Sequence, residues 1–241
     1  KIQGGMKMKV GIMQPYFFPY IGYWQLINAV DLFVIYDDVN YIKKGWINRN
    51  RILVGDGDEK FHISIQKASQ NRTINQLEVA SNFRERRKTL RTIELAYKRA
   101  PYFKAVYPID EEIFFNPEKM LADFLTFSLK RTAEYLGIKT KMLRSSEIDK
   151  DNTRKGQDKI IDICEMLGAD VYYNPIGGKE LYSSEDFRTK GIQLYFLKTE
   201  EIIYQQYKNE FVPNLSILDI MMFNSVEAVS GILKKFSLET N

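Results

Sequence analysis

Short apolar runs and helical periods alternate along this chain. Val10 to Met13 is an unbroken apolar run, Trp24 to Val30 reads as a helix, and Asp31 to Asn40 opens with a run too apolar for a surface strand. Strand, short helix, strand is a βαβ unit, which calls for a parallel sheet. Ile52 to Val54, the turn Gly55-Asp56-Gly57-Asp58 and Lys60 to Gln66 read as a hairpin, and Ile74 to Ala80 as a short edge segment. Helices then follow one another. Asn82 to Arg99 is stopped by Pro101, Lys104 to Phe115 is interrupted by Pro108, and Asn116-Pro117 reads as cap and first turn of a helix reaching Tyr135, closed by Gly137. Beyond it the βα alternation resumes: Lys139 to Arg144, a helix Arg154 to Leu167, strand Val171 to Tyr173, Glu185 to Lys190 as helix, strand Ile192 to Leu197. Helices from Ser216 and from Ser225 to Phe236 end the chain.

The pattern predicts an α/β fold with a Rossmann-like parallel sheet, as one domain over residues 6–241. The helical stretch 82–136 reads as an insertion or lid within it. At 241 residues, 44% hydrophobic and 27% charged, the chain has the composition of a globular protein with a sizeable core. No run approaches the roughly 20 apolar residues of a membrane span. The polar start ahead of Val10 is unlike a secretory signal, so the expected location is cytoplasmic.

Composition also removes chemistry. His62 is the one histidine and Cys164 the one cysteine, so a His-rich metal site and an intrachain disulfide are both excluded. No metal site is expected. The net charge of +4 is uneven: between Phe83 and Arg99, seven basic residues stand against Glu85 and Glu94. With Phe83, Leu90, Ile93 and Tyr97 turned inward, this is the pattern of a solvated helix face. No nucleic-acid motif accompanies it, which argues against a nucleic-acid partner.

Candidate chemistry gathers at strand ends. Met13 to Trp24 packs six aromatic residues, two prolines and a glycine into twelve positions, too stiff and bulky for an ordinary loop. It lies between the first strand and the first helix, where open α/β sheets place ligands. Asp37 and Asp38 end the second strand, followed by Tyr41, Lys43, Lys44, Trp46, Asn48, Arg49 and Arg51. Gln14, Tyr16, Tyr20 and Tyr23 would orient a ligand by hydrogen bonds and stacking. Lys43, Arg49 and Arg51 would hold phosphate or carboxylate charge. Asp37 or Asp38 would serve as general base if burial raised its pKa. Gly177, Gly178 and Lys179 follow a later strand as a possible anion-binding turn, although the spacing is no Walker A loop. Tyr204 to Tyr207, with Gln206, repeats the aromatic and amide character of the opening stretch, and Ser216 with Asp219 has the form of a capping-box variant.

Two resemblances attach to these segments. Tyr20-Ile21-Gly22-Tyr23 occupies the place of the His-x-Gly-His motif of the nucleotidyltransferase superfamily, with tyrosine at both histidine positions. This resemblance implies a nucleotidyltransferase-like fold and leaves the adenylyl-transfer chemistry without its cations. Met13 to Trp24, then Trp46 with Asn48 to Ile52, then Gly168 to Asp170, Gly177, Phe187, Gly191-Ile192, Tyr204, Gln206, Phe211, Pro213 and Leu215 to Asp219 together resemble the WbqC-like protein family. Tyr173-Asn174-Pro175 departs from the Ser-Gly-Pro of that family. The resemblance implies a bacterial protein of surface-polysaccharide (O-antigen) biosynthesis, a transferase moving an acyl or aminoacyl group onto a nucleotide- or lipid-linked amino sugar. ATP or an acyl or aminoacyl donor is the cofactor it would use. A non-catalytic nucleotide- or sugar-binding module and an adenylating enzyme are the alternatives.

Overall fold

A computed structural model describes residues 7–207 and 210–241; the expected domain start at Met6 lies outside them. Strands β1 (Lys9–Met13) and β2 (Leu32–Ile35) flank helix α1 (Ile21–Ala29). A hairpin of β3 (Arg49–Val54) and β4 (Gly57–His62) and a two-residue ladder of β5 (Ile65–Gln66) with β6 (Glu78–Val79) follow. Helices α2 (Phe83–Tyr97), α3 (Phe103–Phe114) and α4 (Leu121–Tyr135) lead to β7 (Lys141–Arg144). Then come α5 (Gly156–Met166), β8 (Val171–Pro175), α6 (Ser184–Thr189) and β9 (Gln193–Thr199). Last are α7 (Ile217–Phe223), α8 (Val226–Ile232) and β10 (Phe236–Glu239).

The main sheet has the order β10-β9-β8-β1-β2-β7. β9, β8, β1, β2 and β7 are parallel, and β10 runs antiparallel along one edge. The fold is therefore a Rossmann-like α/β sheet with helices on both faces. The chain leaves β1 toward β2 and later crosses back to β8, so the strand order reverses between β1 and β8. Side chains alternate faces as the pleat requires. Phe33 and Ile35 join the larger core with α1, whereas Val10, Ile12, Leu32 and Val34 join the smaller one with Ile160, Ile163 and Cys164 of α5 and Phe187 of α6. Burial raises the Cys164 thiol pKa far above its usual value, so the lone cysteine is an inert core residue. Among the described residues no helix is long and apolar enough to cross a membrane.

The sequence expectations differ from the structure in several places. Asn116-Pro117 does not cap α4, which begins at Leu121. Buried Asn116 instead closes α3, its amide donating to Ile113 O at 3.1 Å. Helix α3 runs through Pro108. Ile74 to Ala80 is a 3-10 turn at Ile74–Gln76 before the short β6. The last helix stops at Ile232, and Phe236–Glu239 becomes the edge strand β10. On α2 the inward and outward residues are partly exchanged. Phe83 is half exposed, while Arg86 is buried, donating to Phe114 O at 3.1 Å and to Ala80 O at 3.3 Å. A long cationic stem that can feed its five donors to otherwise orphaned carbonyls suits such a position better than phenylalanine does.

Helices α2 to α4 share the larger core with the segment after β1. Phe17 and Phe18 are fully buried among Phe61, Phe114 and Phe124, with ring centroids 4.7 to 6.1 Å apart. Burying each such ring stabilises the fold by roughly 1.5–3 kcal/mol. These rings anchor the loop that shapes the site.

Candidate functional site

The loop after β1 divides its aromatic residues between core and surface. Tyr23 and Trp24 are buried; the Tyr23 hydroxyl donates to Gln14 O at 2.8 Å and the Trp24 indole to Pro19 O at 3.0 Å. Both bonds fix the path of the loop. Tyr16 and Tyr20 remain at its surface, and with Pro19, Trp46, Asn50, Arg51 and Asn214 they line a cavity of about 230 Å³. Burial raises the pKa of both tyrosines, with Tyr20 adding to the rise at Tyr16. They stay neutral hydroxyls at pH 7.

Strand β3 holds this loop together with two others. Phe18, Lys44 and Asn214 all have left-handed backbone, with φ of 45°, 61° and 57°. Non-glycine residues rarely adopt this region. Asn50 donates to Phe18 O at 2.9 Å, Arg51 Nη2 to Asn214 O at 3.1 Å, and Arg49 Nη2 to Lys44 O. Three successive β3 residues thus each hold one strained carbonyl. Trp46 is 41% exposed, with the guanidinium groups of Arg49 and Arg51 at 5.9 and 6.0 Å from its ring centroid. Arg51 also faces Asp58 at 3.4 Å, and its buried Nε has no hydrogen-bond partner among the described residues. Backbone bonds from Ser216 N to Arg51 O (2.9 Å) and Ile217 N to Pro19 O (3.1 Å) bring the segment after Pro213 to the same place.

Other sequence candidates lie elsewhere or are already occupied. Asn48 accepts from the Tyr41 hydroxyl and donates to Ile63 O, each at 2.8 Å. Lys43 is exposed and lines none of the cavities. Asp37 is buried at the end of β2, where Oδ1 accepts from Ser145 Oγ (3.1 Å) and Ser146 N (3.0 Å) and Oδ2 from Ser146 Oγ (2.6 Å). Asp38 is bridged by Lys150 at 2.7 Å and Lys159 at 3.1 Å. Burial alone would raise its pKa, but hydrogen bonds from Lys150 and Ser145 and the two ammonium charges outweigh that and hold it below the usual carboxylate value. That is a fixed anion rather than a proton acceptor. Nothing near Asp37 or Asp38 in the sequence indicated Ser145, Ser146, Lys150 and Lys159, because they lie over a hundred residues away.

The turn after β8 is closed by its own side chain. A Cβ on Gly178 would sit 2.1 Å from Asn174 Oδ1, so that glycine makes room for Asn174, whose amide in turn donates to the Tyr172 hydroxyl at 2.7 Å. Lys179 pairs with Glu239 of β10 at 3.2 Å, whereas Gly177 faces open space. Gln206 is buried, bonded to Val212 at 2.9 and 3.0 Å and to Asp219 Oδ2 at 2.8 Å. Asp219 also accepts from the Tyr97 hydroxyl at 2.8 Å and the Tyr204 hydroxyl at 2.6 Å. Ser216 caps α7, but Asp219 is no capping-box partner, because these three donors take its carboxylate. Its burial outweighs their hydrogen bonds, and its pKa is raised. His62 is exposed and 3.1 Å from Glu85.

The largest cavity, about 800 Å³, is a broad hollow between the β3–β4 hairpin and α2 that includes Arg99 and Tyr207. It touches none of the strained loops. The smaller cavity joins the loop after β1, the Trp46 to Ile52 segment and the segment after Pro213. These are three of the segments that resemble the WbqC-like family, and the chain matches that family over residues 14–231. It belongs to the WbqC-like protein family. A relative from Mycobacterium tuberculosis, strain ATCC 25618 / H37Rv, named "Uncharacterized protein Rv1507c", is 26% identical over 236 residues, covering 91% of this chain and 95% of its own. No solved structure matches the chain. The WbqC-like match thus covers β2 to β9, α2 to α4 and the candidate cavity, with β1 and β10 outside it.

Proposed function

We propose that this cavity binds the sugar of a nucleotide- or lipid-linked amino sugar. On this reading the protein transfers an acyl or aminoacyl group onto that sugar's nitrogen during bacterial surface-polysaccharide (O-antigen) assembly. The observation that carries the reading is Trp46, 41% exposed in the cavity wall with two guanidinium groups near its ring. A sugar ring stacks on an exposed indole, and Arg51 brings a guanidinium charge to the cavity wall that would attract phosphate or carboxylate. At about 230 Å³ the cavity is smaller than a drug-sized pocket of roughly 300–1,000 Å³ and suits a single ring. Tyr16 and Tyr20 supply neutral polar contacts for hydroxyl groups. In the transfer the amine nitrogen bonds to the acyl carbon, the donor leaves with the electron pair of the broken bond, and the nitrogen loses a proton.

A second reading, a binding module without turnover, is favoured by the cavity wall itself. Its residues include no carboxylate, histidine, lysine or thiol to take that proton. Thermal shift separates these readings, because a ligand of the native state raises the melting temperature through RT ln(1 + [L]/Kd). Nucleotide-linked amino sugars should stabilise the protein, and aminoacyl or acyl donors should then yield acylated sugar by mass spectrometry. Stabilisation without product favours the binding module. Pyrophosphate release from ATP with magnesium favours an adenylating enzyme. No shift with any of these ligands sinks all three.

A further inference from the structure

A second cavity, of about 310 Å³, adjoins the first. Asn214 lines both. The partition is built around Gly22 at the start of α1: a Cβ there would lie 2.5 and 2.6 Å from Tyr20 ring and hydroxyl atoms and 2.7 Å from Thr199 Oγ1. Tyr20 lines the first cavity and Thr199 the second, and both side chains meet at this one backbone point.

The second cavity differs in charge. Its polar residues include Glu200 and Glu201, and among the described residues it is lined by no lysine, arginine or histidine. Both glutamates are exposed, and among the described residues neither forms an ion pair. Most of the remaining wall is apolar, including Ile203 and the ring of Tyr204. The Tyr204 hydroxyl is tied to buried Asp219 at 2.6 Å, so this ring is a fixed surface. An apolar wall carrying two exposed carboxylates complements a cation borne on a ring or short aliphatic frame.

We infer that the cavity bounded by Thr199, Glu200, Glu201, Ile203, Tyr204 and Asn214 is an amine subsite, taking a primary ammonium group on a compact apolar or ring scaffold. Its role as partner of the first cavity, with Tyr20 between the two bound groups, rests on the transferase reading; amine binding itself does not. The neighbouring chambers would then present one anionic and one cationic substrate across a single tyrosine.

Methyl NMR of isoleucine-labelled protein tests this, with cyclohexylmethylamine, cyclohexylmethanol and cyclohexanecarboxylate as probes. The amine should give saturable shifts at Ile203 and leave Ile42, on an exposed loop, unmoved. Glu200→Gln and Glu201→Gln should each weaken it by up to about fivefold, the range of an exposed ion pair. Equal shifts with the alcohol or carboxylate, no saturable shift with the amine, or unchanged affinity in the double glutamine variant would overturn the inference. Trp46→Ala keeps the two claims apart. Amine binding that survives Trp46→Ala while no sugar binds the parent protein leaves the subsite standing and removes the transferase reading.

Discussion

Asn50 donates its buried side-chain amide to two successive carbonyls, Phe17 O at 3.2 Å and Phe18 O at 2.9 Å. The second belongs to a residue at φ 45°. Replacing Asn50 by alanine leaves both carbonyls without this donor in a site closed to water. The expected destabilisation is about 2–3 kcal/mol, read from the urea midpoint at unchanged m-value. Asn50→Asp should fare no better, because a carboxylate brings acceptors where donors are needed.

Trp46 and Trp24 are the only tryptophans, one 41% exposed beside two arginines and the other buried. Iodide should therefore quench about one emitter, drawn to it by the guanidinium charges. Trp46→Phe should abolish that quenching while leaving far-UV circular dichroism unchanged. A sugar ligand of the first cavity should protect the parent protein from iodide. Quenching that persists in Trp46→Phe would mean that Trp24 is accessible.

Gly22→Ala tests the partition between the cavities. The new methyl meets Tyr20 and Thr199 inside contact distance, and overpacking of this kind costs about 1–3 kcal/mol. In a Tyr20→Ala background two of the three crowding atoms are gone, so the alanine should cost less there. A double-mutant cycle showing no coupling would remove Tyr20 from the wall.

Asp110 lies fully buried in α3 with neither carboxylate oxygen hydrogen-bonded, and burial, aided by Glu111, raises its pKa well above the usual value. Folding thus favours its protonated form. That contribution is whole below the ordinary carboxylate value and disappears as pH rises through the folded value. Asp110→Asn cannot ionise, so its stability relative to the parent should grow from about pH 4 toward neutrality, by about 1.4 kcal/mol for each unit of the rise. A pH-independent difference in urea midpoints would show that Asp110 is not buried as charge.

Strand ends and the aromatic loop were legible because they depend on local pattern. Leu32 to Ile35 is apolar on both faces and is buried on both, and the parallel sheet follows from the βαβ rhythm. Tyr16, Tyr20, Trp46 and Arg51 come together as adjacent strand ends suggested. Asp37 and Asp38 do not line that cavity, because their partners Ser145, Ser146, Lys150 and Lys159 arrive from distant parts of the chain. The same limit hid Asn214, whose carbonyl matters only through Arg51, 163 residues away. Gly178 was read by its residue type, which cannot distinguish room for a ligand from room for Asn174.

The bonds from Ser216 to Arg51 and from Ile217 to Pro19 tie the segment before α7 to the loops formed first in the chain. A chain emerging from the ribosome can pair β3 with β4 early, yet it cannot set the Asn214 wall until about residue 217 is free. The ligand chamber is thus a late product of folding, closed by sequence-distant contacts of the slow kind. A nascent chain stalled ahead of that point would carry much of the sheet and an unfinished first cavity.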